Sequence, residues 1–216
     1  MDTEKLLGKI RETVRIRLLD SESSHDFDHT MRVCRNAEML LEELPDADRD
    51  VVRLAAVLHD VARPEEKACR KVCHAARGAE IAAEILEDLH VEKTFADRIV
   101  AAVRTHRYRD DNAPQTLEEK IVYDADKLDS LGAAGIGRAF LFAGKFGARL
   151  HNTEQEALNS EAYSKEDTAY REYLVKLRYL PDAMLTAPGK RIASERISFM
   201  REFFDRLNQE VQCDRS

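Results

Sequence analysis

The chain has 216 residues, 44% of them hydrophobic and 35% charged, with only 8 Gly and 5 Pro, the balance of a folded protein with its own core and not of a low-complexity or collagen-like chain. Its length favours one domain with an added subdomain over two independent domains. Setting 34 basic against 41 acidic residues leaves a net charge of -7, which argues against a long nucleic-acid partner but leaves room for a local basic patch that receives a phosphate.

No apolar run approaches the length of about 18 residues that a membrane span needs, and Asp2, Glu4 and Glu12 exclude a secretory signal peptide at the start. Cys34, Cys69, Cys73 and Cys213 are unevenly spaced and read as reduced thiols of a cytoplasmic protein.

Leu6, Leu7, Ile10, Val14 and Leu18 recur at helical spacing and predict a first helix; Val33, Ala37, Leu40 and Leu41 predict a second. After Pro45, the run Val51, Val52, Leu54, Ala55 and Leu58 predicts a third helix, which Pro64 is expected to end. Ile81, Ile85 and Leu89 mark a fourth, and Ile99, Val100 and Val103 a shorter fifth. Residues 108–115 read as a loop, and the spacing of Thr116 and Glu119 suits a capping box that opens the helix carrying Tyr123, Asp126 and Leu128.

Gly132, Gly135, Gly137, Gly144 and Gly147 weaken the next stretch as an isolated helix and permit close backbone approach, in a spacing unlike that of a phosphate-binding loop. Residues 168–180 again predict helix, which Pro188 and Gly189 separate from a final amphipathic helix with Ile192, Ile197, Met200, Phe203, Phe204 and Leu207. No sustained strand alternation occurs. The expected fold is therefore all-α, with a core over 1–135 and a helical extension over 136–216 packed on it as one continuous structural domain.

The main chemical signal is His29, the adjacent pair His59 and Asp60, and Asp126. Two imidazoles and two carboxylates suit a divalent cation. Adjacent residues point about 100° apart on a helix, so His59 and Asp60 converge only near a helix end, and the other two must arrive from separate helices. The apolar run Ala55 to Leu58 carries the pair toward a buried end, where unpaired polar groups are costly. The alternative is a helix terminus whose His and Asp hydrogen-bond locally.

In this order, one His, a His-Asp pair and a final Asp, the sequence resembles the HD-domain metal-dependent phosphohydrolases. Residues 25–33 and 124–133 resemble a bacterial, largely uncharacterised subgroup, and Lys176-Leu177, residues 186–193 and Arg196 extend the likeness toward the C-terminus. The resemblance implies an HD-domain helical bundle with a C-terminal helical extension. It implies metal binding by His29, His59, Asp60 and Asp126, and hydrolysis of a nucleotide or another small phosphorylated metabolite by metal-activated water, with Asp60 also aligning or deprotonating that water. The implied divalent metal is one of Mn, Mg, Fe, Co, Ni or Zn. One ion is the preferred count and two the alternative. His74 and His106 resemble the extra histidines of binuclear members, in which Asp60 bridges the ions; in the other reading they contact phosphate or transfer protons. The competing function is a non-catalytic metal- and nucleotide-binding sensor.

Lys127, Arg32, Arg77 and Arg107 are the expected substrate-binding cations, with Arg35, Lys71 and Arg104 in the same segments; solvated surface positions are their alternative. Asp124 competes as a ligand with a supporting role, and Asp129 is expected to orient Lys127 or a ligand. His25 can pair with Asp28 or line the cleft. His90 and His151 read as surface or helix-end residues. Cys69 and Cys73, four residues apart, read as a packing stripe on a helix and not as a zinc site.

Overall fold

The computed structural model describes residues 2–19, 26–69, 72–108 and 112–211. His25, Lys71 and Cys213, named above, lie outside the described residues. Regular structure among the described residues is entirely helical, as the apolar periodicity leads one to expect. The chain divides into two compact units, Met1–Asp126 and Lys127–Ser216.

The first unit contains α1 (Thr3–Arg17), α2 (Phe27–Glu43), α3 (Arg49–Leu58), α4 (Arg63–Ala68), α5 (His74–Asp88), α6 (Lys93–Thr105) and most of α7 (Leu117–Leu128). Acidic caps start four of these helices. Asp2, Asp26, Asp48 and Glu92 each accept a hydrogen bond from backbone N–H groups of the first turn, which have no partner within the helix. Helix α3 is the centre of the unit. Its residues Val51, Val52 and Leu54 to Leu58 are all fully buried, and it packs against α1, α2 and α6, as a helix apolar on nearly every face must. The C-terminal end of this buried helix delivers His59 and Asp60.

Pro64 does not end α3, which stops at Leu58; after a turn over 59–62 it sits at the start of α4, where its missing N–H costs no helical hydrogen bond. Cys69 and Cys73 share no helical face: one caps the C-terminus of α4, the other precedes α5, and both are exposed. At the start of α7, Thr116 Oγ1 accepts from Glu119 N (3.3 Å), while the Glu119 carboxylate accepts from Gln115 N (2.9 Å), one residue earlier than a strict capping box requires.

The second unit contains α8 (Gly132–Lys145), α9 (Glu154–Asn159), α10 (Ala169–Val175), a 3-10 turn over Leu177–Tyr179, α11 (Leu180–Ala183) and α12 (Ala187–Val211). Residues 168–180 are not one helix: Lys176, with φ -141° and ψ -59°, breaks it. Helix α9 has too few apolar residues to show in the pattern, but Thr153 and Glu156 give it a complete capping box. Pro188 and Gly189 lie inside the first turn of α12 and not before it, with Thr186 Oγ1 accepting from Gly189 N at 3.0 Å. The glycines of α8 serve packing. A Cβ on Gly135 would stand 2.2 Å from the Ser130 carbonyl oxygen, closer than any side chain tolerates. The core is aromatic, with Phe204 fully buried and stacked on Tyr173 at 4.8 Å between centroids.

Candidate metal centre

All six candidate ligands sit at or near helix ends. His29 lies in the first turn of α2, His59 caps α3, Asp60 follows in the turn, His74 opens α5, His106 caps α6, and Asp126 lies in the last turn of α7. They form two groups: His29, His59 and Asp126, and Asp60, His74 and His106. In the first, His59 Nε2 is 3.3 Å from His29 Nε2, and Asp126 Oδ1 is 3.5 Å from His29 Nε2 and 4.0 Å from His59 Nε2. In the second, His106 Nε2 is 3.2 Å from His74 Nε2, and Asp60 Oδ1 is 3.5 Å from each of them.

Asp60 also faces the first group. Its Oδ2 stands 3.4 Å from His29 Nε2 and 3.6 Å from His59 Nε2. The four imidazoles run as one chain, His29, His59, His106 and His74, with neighbouring centroids 5.1–5.2 Å apart, so the two groups are one continuous centre.

The tautomers are set from behind. His59 Nδ1 donates to the Ala56 carbonyl at 2.8 Å, His106 Nδ1 to the Val103 carbonyl at 2.6 Å, and His74 Nδ1 to Glu66 Oε1 at 3.0 Å. With the proton on Nδ1, each Nε2 directs a lone pair inward. Burial pushes the His59 pKa down to about 4, and neighbouring imidazoles add to this against the pull of Asp60 and Asp126, so the ring is neutral at pH 7, as a ligand must be. Burial also lowers His74, with Glu66 and Asp60 opposing. For Asp60 burial acts upward, but the Arg63 guanidinium and the surrounding imidazoles hold the carboxyl well below the usual carboxylate range.

These residues fit a divalent cation. Two ligands each about 2.1 Å from a shared ion are separated by about 3.0–3.4 Å at bond angles of 90–109°. The nitrogen pairs above fall inside that window and most nitrogen–oxygen pairs just outside it. Both oxygens of Asp60 are buried without an aligned hydrogen-bond donor among the described residues; Arg63 Nε approaches Oδ2 to 2.9 Å but is poorly aligned. A buried carboxylate in that condition is costly unless a cation completes it.

Three supporting residues lie outside the sequence motif, although the alternating charges of Asp60, Arg63 and Glu66 at i,i+3 spacing are a signal that could have found two of them. Glu66 accepts from His74 Nδ1, from Arg107 Nη1 at 2.8 Å and, through Oε2, from Arg63 Nη1 at 2.8 Å. Arg63 links Glu66 to Asp60. Asn36, buried on α2, donates to the Ala125 carbonyl at 3.0 Å and pins the backbone beside Asp126. The spacing of Glu66 eight residues before His74 has no helical period; only the packing of α4 on α5 joins them.

Among the expected substrate cations, Arg107 stands beside the second group, while Arg77 is held by Glu65 (2.8 Å) and Glu80 (2.9 Å) on the surface of α5. Arg32 and Lys127 are half-buried on α2 and α7. Asp124 is buried but belongs to neither ligand group, and Asp129 pairs with Arg138 Nη1 at 2.8 Å. His90 is exposed just past α5, and His151 Nε2 meets Asn208 Oδ1 at 2.6 Å, as ordinary surface and helix-end residues do.

The family model for the HD domain matches residues 26–131, a span that contains all six candidate ligands. The chain is 33% identical over 214 residues to the uncharacterised protein YpgQ of Bacillus subtilis, with 96% of this chain and 94% of YpgQ covered. The chain belongs to the HD superfamily. The solved structure of YpgQ in complex with ADP superposes with a TM-score of 0.73 at 29% identity, covering 95% of this chain and 98% of that one. An HD-superfamily hydrolase from Bacillus thuringiensis gives 0.74 at 28% identity, with 96% and 97% covered. No described helix is long and apolar enough to cross a membrane.

Proposed function

We propose that the chain is a divalent-metal-dependent phosphohydrolase acting on a nucleotide, with two cations held by His29, His59 and Asp126 and by His74 and His106, and with Asp60 bridging them. The observation that carries this reading is Asp60, whose two buried oxygens each face a different pair of imidazole nitrogens. The count departs from the single ion preferred on sequence because His74 and His106 approach Oδ1 as closely as His29 and His59 approach Oδ2. Four imidazoles and two carboxylates favour Mn, Fe, Co, Ni or Zn over Mg. The ADP complex of YpgQ supports a nucleotide as substrate. The thiols of Cys34, Cys69 and Cys73, unpaired with one another, suit the cytoplasm.

When bound, divalent cations polarise a phosphoryl oxygen and acidify water for attack on phosphorus. The chain's own residues do the rest. Asp60 aligns both halves of the centre from one carboxylate. Glu66 fixes the His74 tautomer and balances Arg63 and Arg107. Arg107 is about a quarter exposed and can turn from Glu66 to an incoming phosphate oxygen, where a guanidinium binds in a forked geometry.

The test is phosphate or pyrophosphate release from a panel of nucleoside mono-, di- and triphosphates, cyclic nucleotides and sugar phosphates, with each metal in turn. Metal-dependent turnover of nucleotides that disappears in Asp60→Ala supports the proposal. Stoichiometric nucleotide binding without product under every metal would overturn it in favour of the sensor.

A further inference from the structure

A charged pocket lies in the first unit, apart from the six candidate ligand residues. It is half-open to solvent, has a volume of about 310 Å³ and is lined by Arg11 of α1, Met31, Cys34, Arg35 and Glu38 of α2, and Arg53 of α3. On α2, Met31, Cys34 and Glu38 lie about 140–200° round the axis from His29. The cavity therefore sits on the back of the helix whose front supplies a ligand to the metal centre.

Its charge is unlike that of the whole protein. Glu38 is shared by Arg49 Nη2 (2.8 Å) and Arg53 Nε (2.7 Å), and Arg53 Nη1 also pairs with Glu4 (2.5 Å). Arg11, Arg35, Arg49 and Arg53 against Glu4 and Glu38 leave a surplus of two positive charges, in a chain whose net charge is -7. The Nε atom of Arg11 is buried without an aligned acceptor among the described residues, a costly condition for a guanidinium N–H, whereas Arg53 Nε faces Glu38. Arg35 is exposed on the lining. Cys34 contributes an apolar wall, since burial pushes its thiol up to about 12 and keeps it un-ionised.

We propose that this cavity is a second ligand site, specific for a small phosphate monoester. Arg11 and Arg35 receive the phosphate, and Met31 and Cys34 pack against its carbon body. A phosphate monoester carries a charge of about -1.5 to -2 near neutrality, which matches the surplus. The volume lies at the small end of the range of about 300–1,000 Å³ for ligand pockets, suited to a molecule of a few carbons and not to a polymer. The site stands whether or not the metal centre hydrolyses nucleotides, because it shares no residue with that centre.

Calorimetric titration of the metal-loaded full-length protein with inorganic phosphate and with glycerol 3-phosphate tests this. Glycerol 3-phosphate should bind more tightly than inorganic phosphate. Arg11→Gln and Arg35→Gln should each weaken it about tenfold or more, the loss expected for one charge-assisted hydrogen bond, while His106→Gln should leave it unchanged. Arg35 is exposed, so its variant tests the site even if Arg11→Gln fails to fold. Equal binding of the two probes, binding that survives both arginine variants, binding lost only in His106→Gln, or no heat in the wild type up to about 10 mM would each overturn the proposal.

Discussion

Replacing Glu66 by Gln removes one negative charge where three donors meet, His74 Nδ1 at 3.0 Å and the Nη1 groups of Arg63 and Arg107 at 2.8 Å each. The shape is kept and an amide oxygen can still accept from His74, so the loss reports charge and not a cavity. A hydrogen bond to a charged group contributes about 1.5–3 kcal/mol and a neutral one about 0.5–1.5, a difference of about 1 kcal/mol per bond. Glu66 keeps 21% exposure, and solvent screening reduces the sum over three bonds to about 1–2 kcal/mol of stability. For metal binding the expected cost is larger in effect, because removing the carboxylate behind a ligating imidazole typically lowers affinity by about 10- to 100-fold. On the proposed two-ion centre, the ion at His74 and His106 should be the one weakened. Elemental analysis during stepwise chelator dialysis, with circular dichroism as the check on folding, reads this directly. A folded variant that releases both ions at the wild-type chelator concentrations would refute the role assigned to Glu66.

Asp60→Ala should remove metal from both groups and abolish turnover; a folded variant with full metal content by elemental analysis would contradict the bridging role. His74→Gln should lower the metal content by about one ion per chain while His29, His59 and Asp126 keep theirs, as measured by the same method. Gly135→Ala drives a methyl group onto the Ser130 carbonyl and should cost about 2 kcal/mol, seen as a fall of about 4–8 °C in Tm; an unchanged Tm would mean the backbone yields there. In the native protein at pH 8, iodoacetamide should modify Cys69 and Cys73 but reach Cys34 only after denaturation, with mass spectrometry locating the adducts.

The helices that bury an apolar stripe are legible in the amino-acid sequence: the stripes of α1, α2 and α3 are buried, whereas Ile85 and Leu89 at α5, Val100 of α6, and Phe203 and Leu207 of α12 are only half-buried at the edges of theirs. Periodicity reports which face is buried, not what it meets. It therefore cannot show that Glu66 lies behind His74, or that Asn36 holds the backbone beside Asp126. Pro64 and Pro188 mislead because a proline that breaks a helix interior is equally at home in a first turn, and only the neighbouring backbone decides. The order of His29, His59, Asp60 and Asp126 makes a metal centre legible. That His74 and His106 converge on the far oxygen of Asp60 depends on how α5 and α6 pack, which no local spacing encodes.

His59 and Asp60 are consecutive, yet they serve opposite halves of the centre: His59 groups with His29 and Asp126, while Asp60 Oδ1 groups with His74 and His106. One peptide bond is thus the hinge pin of both halves, and neither can be re-aimed alone. Anyone reshaping this centre has latitude in the four outlying candidate ligands, each carried on its own helix. Lengthening the chain by one residue between His59 and Asp60 would instead swing the carboxylate out of register with both halves at once.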